Sequence, residues 1–162
     1  MNEKEIINRI ENLDKRLTII EKKINFVDKV EIKKVDFSVL AKISTTDVDN
    51  IKELFDIFDN KLNLIKPLFE DENNRVRIHN VVLIILICYK YILKEEIVLS
   101  SEIQIILKTQ NISLNNYRTY MREICFDLIL SVEGDTSQDF SYRLTNNGEI
   151  KAIELITAIF GS

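Results

Sequence analysis

Seven consecutive residues, Val81-Val82-Leu83-Ile84-Ile85-Leu86-Ile87, leave the middle of this chain with no polar side to turn to water. With its flanks the run reads as a helix over 78–93 that is apolar all round, and such a helix must be covered on every side. The unbroken apolar run 81–89 stops at Lys90, well short of the ~20 residues that cross a bilayer. The expected cover is therefore protein: a C-terminal domain on one side, and the preceding helix or a second subunit on the other. Three glycines and one proline serve all 162 residues. A sandwich or barrel needs a turn roughly every 8–12 residues, so a mainly α fold is expected around this core.

The first 30 residues read as a coiled coil. Ile6, Ile10, Leu13, Leu17, Ile20, Ile24 and Val27 alternate spacings of four and three, which draws an apolar seam along one helix face. Arg9, Arg16 and Lys23 fall at the g positions, and Asp14, Glu21 and Asp28 at the e positions of the following heptads. In a parallel pair these face each other with opposite charge; in an antiparallel pair of the same helix, like charges meet. Each exposed pair contributes only about 0.2–1 kcal/mol, so the pattern selects partner and direction more than it stabilises. A parallel homodimer is expected. The other reading is a helix folded back on its own chain, and mixed Ile and Leu on the seam leave the strand number open.

Residues 31–74 read as a connector, with a short helical turn near 37–42, followed by a second amphipathic helix. Thr46 and Asp49 have the spacing of a capping box. Val48, Ile51, Phe55, Phe58, Leu62, Ile65 and Phe69 continue at helical spacing, and Pro67 is expected to end the helix near Lys66. The polar run Glu70-Asp71-Glu72-Asn73-Asn74 marks the expected boundary to a domain over 75–162.

In that domain Ile97-Val98-Leu99 is a short strand candidate, and Ser100 or Ser101 is placed to cap a helix over 102–108 with Ile103, Ile106 and Leu107 inward. A turn at 109–112 leads to Ser113, the expected cap of a helix over 113–126. Leu114, Tyr117, Met121 and Ile124 form its buried side, while Asn115, Asn116, Arg118, Thr119 and Arg122 share the other. A hairpin follows, with Leu128, Leu130 and Val132 of one strand and Phe140, Tyr142 and Leu144 of the next facing inward. A last helix over 149–160 buries Ile150, Ile153, Leu155, Ile156 and Ile159.

Helix, strand, helix, helix, hairpin and helix is the layout of a winged helix-turn-helix. Tyr142-Arg143-Leu144-Thr145-Asn146-Asn147-Gly148 resembles the strand-to-helix junction of winged-helix transcription regulators of the PadR and MarR type, over roughly residues 78–160. The resemblance implies that Thr145 caps the last helix and that Gly148 allows it a close approach, and it implies a DNA-binding role with the helix at 113–126 in the major groove. There Asn pairs with adenine, Arg with guanine, and Thr meets backbone or methyl groups. Arg118 and Arg122 are the main expected contacts, assisted by Lys108, Asn115, Asn116 and Thr119.

Charge cuts against this reading. The net charge is −4; residues 1–74 hold 13 Lys and Arg against 16 Asp and Glu, and the remainder 9 against 10. The basic footprint usual in a DNA binder is missing. The turn at 133–139 carries Glu133, Asp135 and Asp139 and no base, so phosphates repel it. A second reading follows: a protein-interaction module assembled by the coiled coil, with the acidic turn facing a partner. An enzyme fits least, since no Gly-rich phosphate loop, nucleophile set or paired carboxylates stand out. His79, the single histidine, reads as a polar or capping residue; no metal and no cofactor are expected. Cys88 and Cys125 lie among apolar neighbours and read as free thiols of a reducing cytoplasm. The N-terminus is charged and lacks the apolar core of a signal peptide.

Overall fold

The all-apolar run forms the central helix. The computed structural model describes residues 35–133 and 140–161. The heptad over 6–27 and the acidic turn, but for the backbone of Glu133, lie outside them. The described residues form six α-helices and two small antiparallel sheets: α1 Ser38–Ile43, α2 Val48–Leu54, β1 Phe55–Phe58, β2 Lys61–Leu64, α3 Asn74–Cys88, β3 Val98–Leu99, α4 Ser100–Thr109, α5 Tyr117–Ile124, β4 Ile129–Glu133, β5 Phe140–Leu144 and α6 Asn146–Phe160. A fold of mainly helical class is thus observed.

From Val81 to Cys88 every side chain of α3 is at most 2 % exposed. Burying one such aliphatic side chain contributes roughly 1.5–3 kcal/mol, so α3 is the main source of stability. It packs against α4, α5, α6 and β5. With the π-helical turn Tyr89–Leu93 that continues it, the stretch Asn74–Leu93 is long and apolar enough to cross a membrane, but most of it is buried within the protein. The turn ends at Lys94 (φ 60°). Lys90 Nζ, at 2.5 Å, and the Tyr91 hydroxyl both donate to the Glu149 carboxylate at the start of α6. Burial pushes the Glu149 carboxyl up, but these two hydrogen bonds outweigh it and hold the group below its ordinary range.

The long second helix is corrected. Only Val48–Leu54 is helical; the chain then makes a hairpin through Asp59 (φ 52°) and Asn60 (φ 56°). Both residues tolerate a left-handed backbone, which a two-residue hairpin turn demands. Phe55 pairs with Leu64 and Ile57 with Leu62, so these four face inward together. Phe58 and Ile65, inward on a helix, are 74 % and 54 % exposed. The capping box is absent as well: Asp47 holds the cap position without a side-chain bond, and Thr46 Oγ1 donates to the Ser44 carbonyl. Pro67 follows the hairpin and ends no helix.

The described residues on either side of 70–74 belong to one compact unit. Gln110, 2 % exposed, joins its two parts. Its Oε1 accepts the Leu68 amide at 3.0 Å and its Nε2 donates to the Leu64 carbonyl at 3.2 Å, while Arg77 donates to the Gln110 carbonyl. Gln110→Ala leaves a buried donor and a buried acceptor unpaired. The expected loss is about 2–4 kcal/mol, at roughly 1–3 kcal/mol per orphaned group, read as a lower urea midpoint.

The second sheet has the order β3-β5-β4. Ile129 lies opposite Leu144 and Ser131 opposite Tyr142, while Leu130 faces Arg143 and Val132 faces Ser141. Ile129 (0 % exposed), Tyr142 and Val98 therefore share the core side, and Leu130 and Val132 the other, one residue out of step with the expected register. Residues 128–130 are all apolar, so alternation does not choose between them. The bond from the Phe126 amide to the Ile129 carbonyl, 2.7 Å, ties Ile129 to the end of α5.

Thr145 caps α6 as expected, its Oγ1 accepting the Gly148 amide at 3.0 Å. Ala152 and Ile156 are fully buried, Ile153, Leu155 and Ile159 partly, and Ile150 is 59 % exposed against expectation. Cys88 is free and buried; Cys125 is free and half-buried.

Candidate nucleic-acid interface

α5 is held on one side and open on the other. Tyr117, Met121 and Ile124 are buried, and Leu114 partly, as their spacing implies. Asn115, Asn116, Arg118, Thr119 and Arg122 are all exposed, and so is Lys108 at the end of α4. Among the described residues neither Arg118 nor Arg122 sits in an ion pair. The helix starts later than expected. Ser113 Oγ accepts the Asn115 amide at 3.3 Å in a local turn, and Asn116, at φ 63°, stands just before Tyr117. Nor does a serine cap α4: Leu99 holds that position.

Three residues of α3 grip α5 from behind. The Asn74 side-chain amide donates to the Ser113 carbonyl at 2.9 Å and accepts the Ser113 amide at 3.1 Å, fixing the turn before α5. Arg75 Nε donates to Glu123 at 2.6 Å. His79 Nε2 lies 2.9 Å from the Tyr120 carbonyl and 3.3 Å from Glu123. His79 is thus a polar tie in the second turn of α3 rather than a cap. Among the described residues no group of His, Cys, Asp and Glu is placed to hold a metal.

Burial lowers the His79 pKa below its ordinary value, against the opposing pull of the Tyr120 carbonyl and Glu123. The unfolded chain then takes up this proton more readily than the folded one. Stability is complete above the ordinary histidine range and falls as pH drops through about 6.5 toward the lower folded value. The expected result is a urea midpoint that declines as pH falls below about 6.5 in the wild type and stays flatter in His79→Gln.

A hydroxyl cluster holds the other flank. Ser100 Oγ lies 3.3 Å from the Tyr117 hydroxyl and accepts from Gln104 Nε2 at 3.2 Å. Burial pushes the Tyr142 phenol of β5 up, and the positive charges of Arg118 and Arg122 oppose that shift. Sequence reasoning singled out all six exposed candidates but missed the residues that orient them: Asn74, Arg75, Ser100 and Glu123. Their partners lie 17–48 positions away, and no local spacing signals such a pair.

The six candidates are brought to an exposed surface, five of them on α5 or the turn that starts it. The acidic turn is no part of the described site. Comparison of the chain with protein-family models, curated proteins and solved structures gave no match.

Proposed function

We propose that residues 74–160 are a winged helix-turn-helix domain that binds double-stranded DNA, and that the chain is a dimeric transcription regulator. The order helix, strand, helix, helix, strand, strand, helix supports the domain assignment, in line with the resemblance to PadR- and MarR-type regulators. The observation that carries the DNA reading is α5 itself. Its inner face is clamped by α3 and the Ser100 cluster, and its outer face presents two arginines that pair with no acid among the described residues, beside amide and hydroxyl side chains. A rigid helix with such a face suits a major groove, where Arg reads guanine and Asn adenine. The proposed coiled coil over 6–27 presents two copies, as a two-fold DNA site requires.

With a net charge of −4, binding rests on a few local contacts rather than a broad basic field. The test is fluorescence anisotropy of a random-sequence duplex titrated with the full chain at low salt. Binding with a dissociation constant of roughly 10⁻⁴–10⁻⁶ M is expected. A flat titration through that range overturns the proposal.

A further inference from the structure

Phe126 is explained neither by folding nor by the proposed DNA face. It is 88 % exposed, so the fold gains no burial from its ring. Its backbone sits at φ 73°, a left-handed conformation in which a bulky side chain is strained. The bond from its amide to Ile129 requires only a backbone N–H, which glycine or asparagine supplies with less strain. A residue that costs stability and buries nothing at a helix exit points to a role outside folding.

The surroundings give that role a chemistry. Asp127 and Leu128, next in the chain, help line a recess of about 280 Å³ with Asn147, Ile150, Lys151 and Glu154 of α6. Ile150 is 59 % exposed and Leu128 half-buried, so the recess offers an apolar patch within an otherwise polar lining. Asp127 accepts from Asn147 at 3.2 Å, and Lys151 is already paired with Glu154 at 3.2 Å. The two carboxylates leave the rim net negative.

We propose that Phe126, Leu128 and Ile150 form a docking surface for a short segment of another protein. That segment places an apolar side chain against Ile150 and Phe126, and a neighbouring Lys or Arg against Asp127 and Glu154. Charge selects this occupant. A nucleic-acid phosphate is repelled by the rim, and a second copy of this chain brings a net charge of −4 to it.

The test is to pan a phage-displayed library of random short peptides against the full chain, then titrate the enriched peptides in solution. Enrichment of a Lys or Arg beside a large apolar residue is expected, with binding that weakens in high salt. Ile150→Asp lowers peptide affinity by about tenfold or more, the size of effect expected of a central apolar anchor, and leaves duplex affinity unchanged. Phe126→Gly also weakens the peptide while raising the urea midpoint, which separates damage to the docking surface from damage to the fold. The proposal is overturned if no peptide is enriched, if the enriched peptides are acidic, or if they bind Ile150→Asp as well as wild type. A self-association of the chain that Ile150→Asp abolishes assigns the surface to the chain itself and overturns it too.

Discussion

Gly148→Ala is expected to cost about 3 kcal/mol or more, at the upper end of what overpacking does. On propensity alone the change favours a helix by about 1 kcal/mol, so even the sign of the result is informative. A Cβ built at Gly148 lies 1.8 Å from the Leu128 carbonyl oxygen and 2.8 Å from its carbon. These are backbone atoms and cannot turn aside. The same carbonyl accepts the Thr145 amide at 3.0 Å, while Thr145 Oγ1 donates to the Asp127 carbonyl and accepts from Gly148. Any retreat of α6 therefore breaks its own cap and its tie to the residues following α5. Urea denaturation, with an unchanged slope and a lower midpoint, is the check. A change within about 0.5 kcal/mol, typical of an unconstrained surface site, removes the close approach from the account.

The largest functional effect is expected from Arg118→Ala combined with Arg122→Ala. Both side chains are exposed and one helical turn apart, so the double variant should fold as the wild type does. If both arginines meet DNA as proposed, duplex affinity at low salt falls by about ten- to a hundredfold. To the extent that they neutralise phosphates, the slope of log affinity against log salt becomes shallower by roughly 0.9 for each phosphate no longer neutralised. Lys66→Ala supplies the control: it removes an exposed cation that pairs with Glu53 at 2.8 Å, and it should leave both quantities unchanged. Equal affinities for the double variant and the wild type take the reading role away from α5.

Much of this was legible because it is local. The uninterrupted apolar run had to be a covered helix, and it is α3. The cap at Thr145 and the close approach at Gly148, which the resemblance of the 142–148 run implies, are both observed. The spacing of Tyr117, Met121 and Ile124 decided which side of α5 is open. The hairpin over 55–64 was missed because Phe55, Ile57, Leu62 and Leu64 satisfy a strand period as well as Phe55, Phe58, Leu62 and Ile65 satisfy a helical one. Asp59-Asn60 breaks the tie, since both adopt the left-handed backbone a two-residue turn needs. The register of β4 was missed for a related reason: one of several adjacent apolar residues had to be chosen, and a slip of one residue exchanges the two faces.

The candidate site divides in the same way. Exposure of Arg118, Thr119 and Arg122 follows from helical period, while Asn115 and Asn116 are exposed in the turn before the helix. The restraints on α5 from Asn74, Arg75, His79 and Ser100 arise between distant residues, and so does the joint that Gln110 makes with the hairpin. Phe126 was invisible for another reason. An apolar residue at the end of an amphipathic helix reads as core, and only its position beyond the last turn of α5 exposes it.

The central claim, that α5 reads DNA while the acidic turn does not, is tested most directly by titrating a random-sequence duplex into the ¹⁵N-labelled full chain and following the amide signals. The expected result is progressive, salt-sensitive shifts at Asn115, Asn116, Arg118, Thr119 and Arg122, with the signals of residues 134–139 unmoved. Shifts that leave α5 untouched while other surfaces respond, or a spectrum unchanged at saturating duplex, would contradict it.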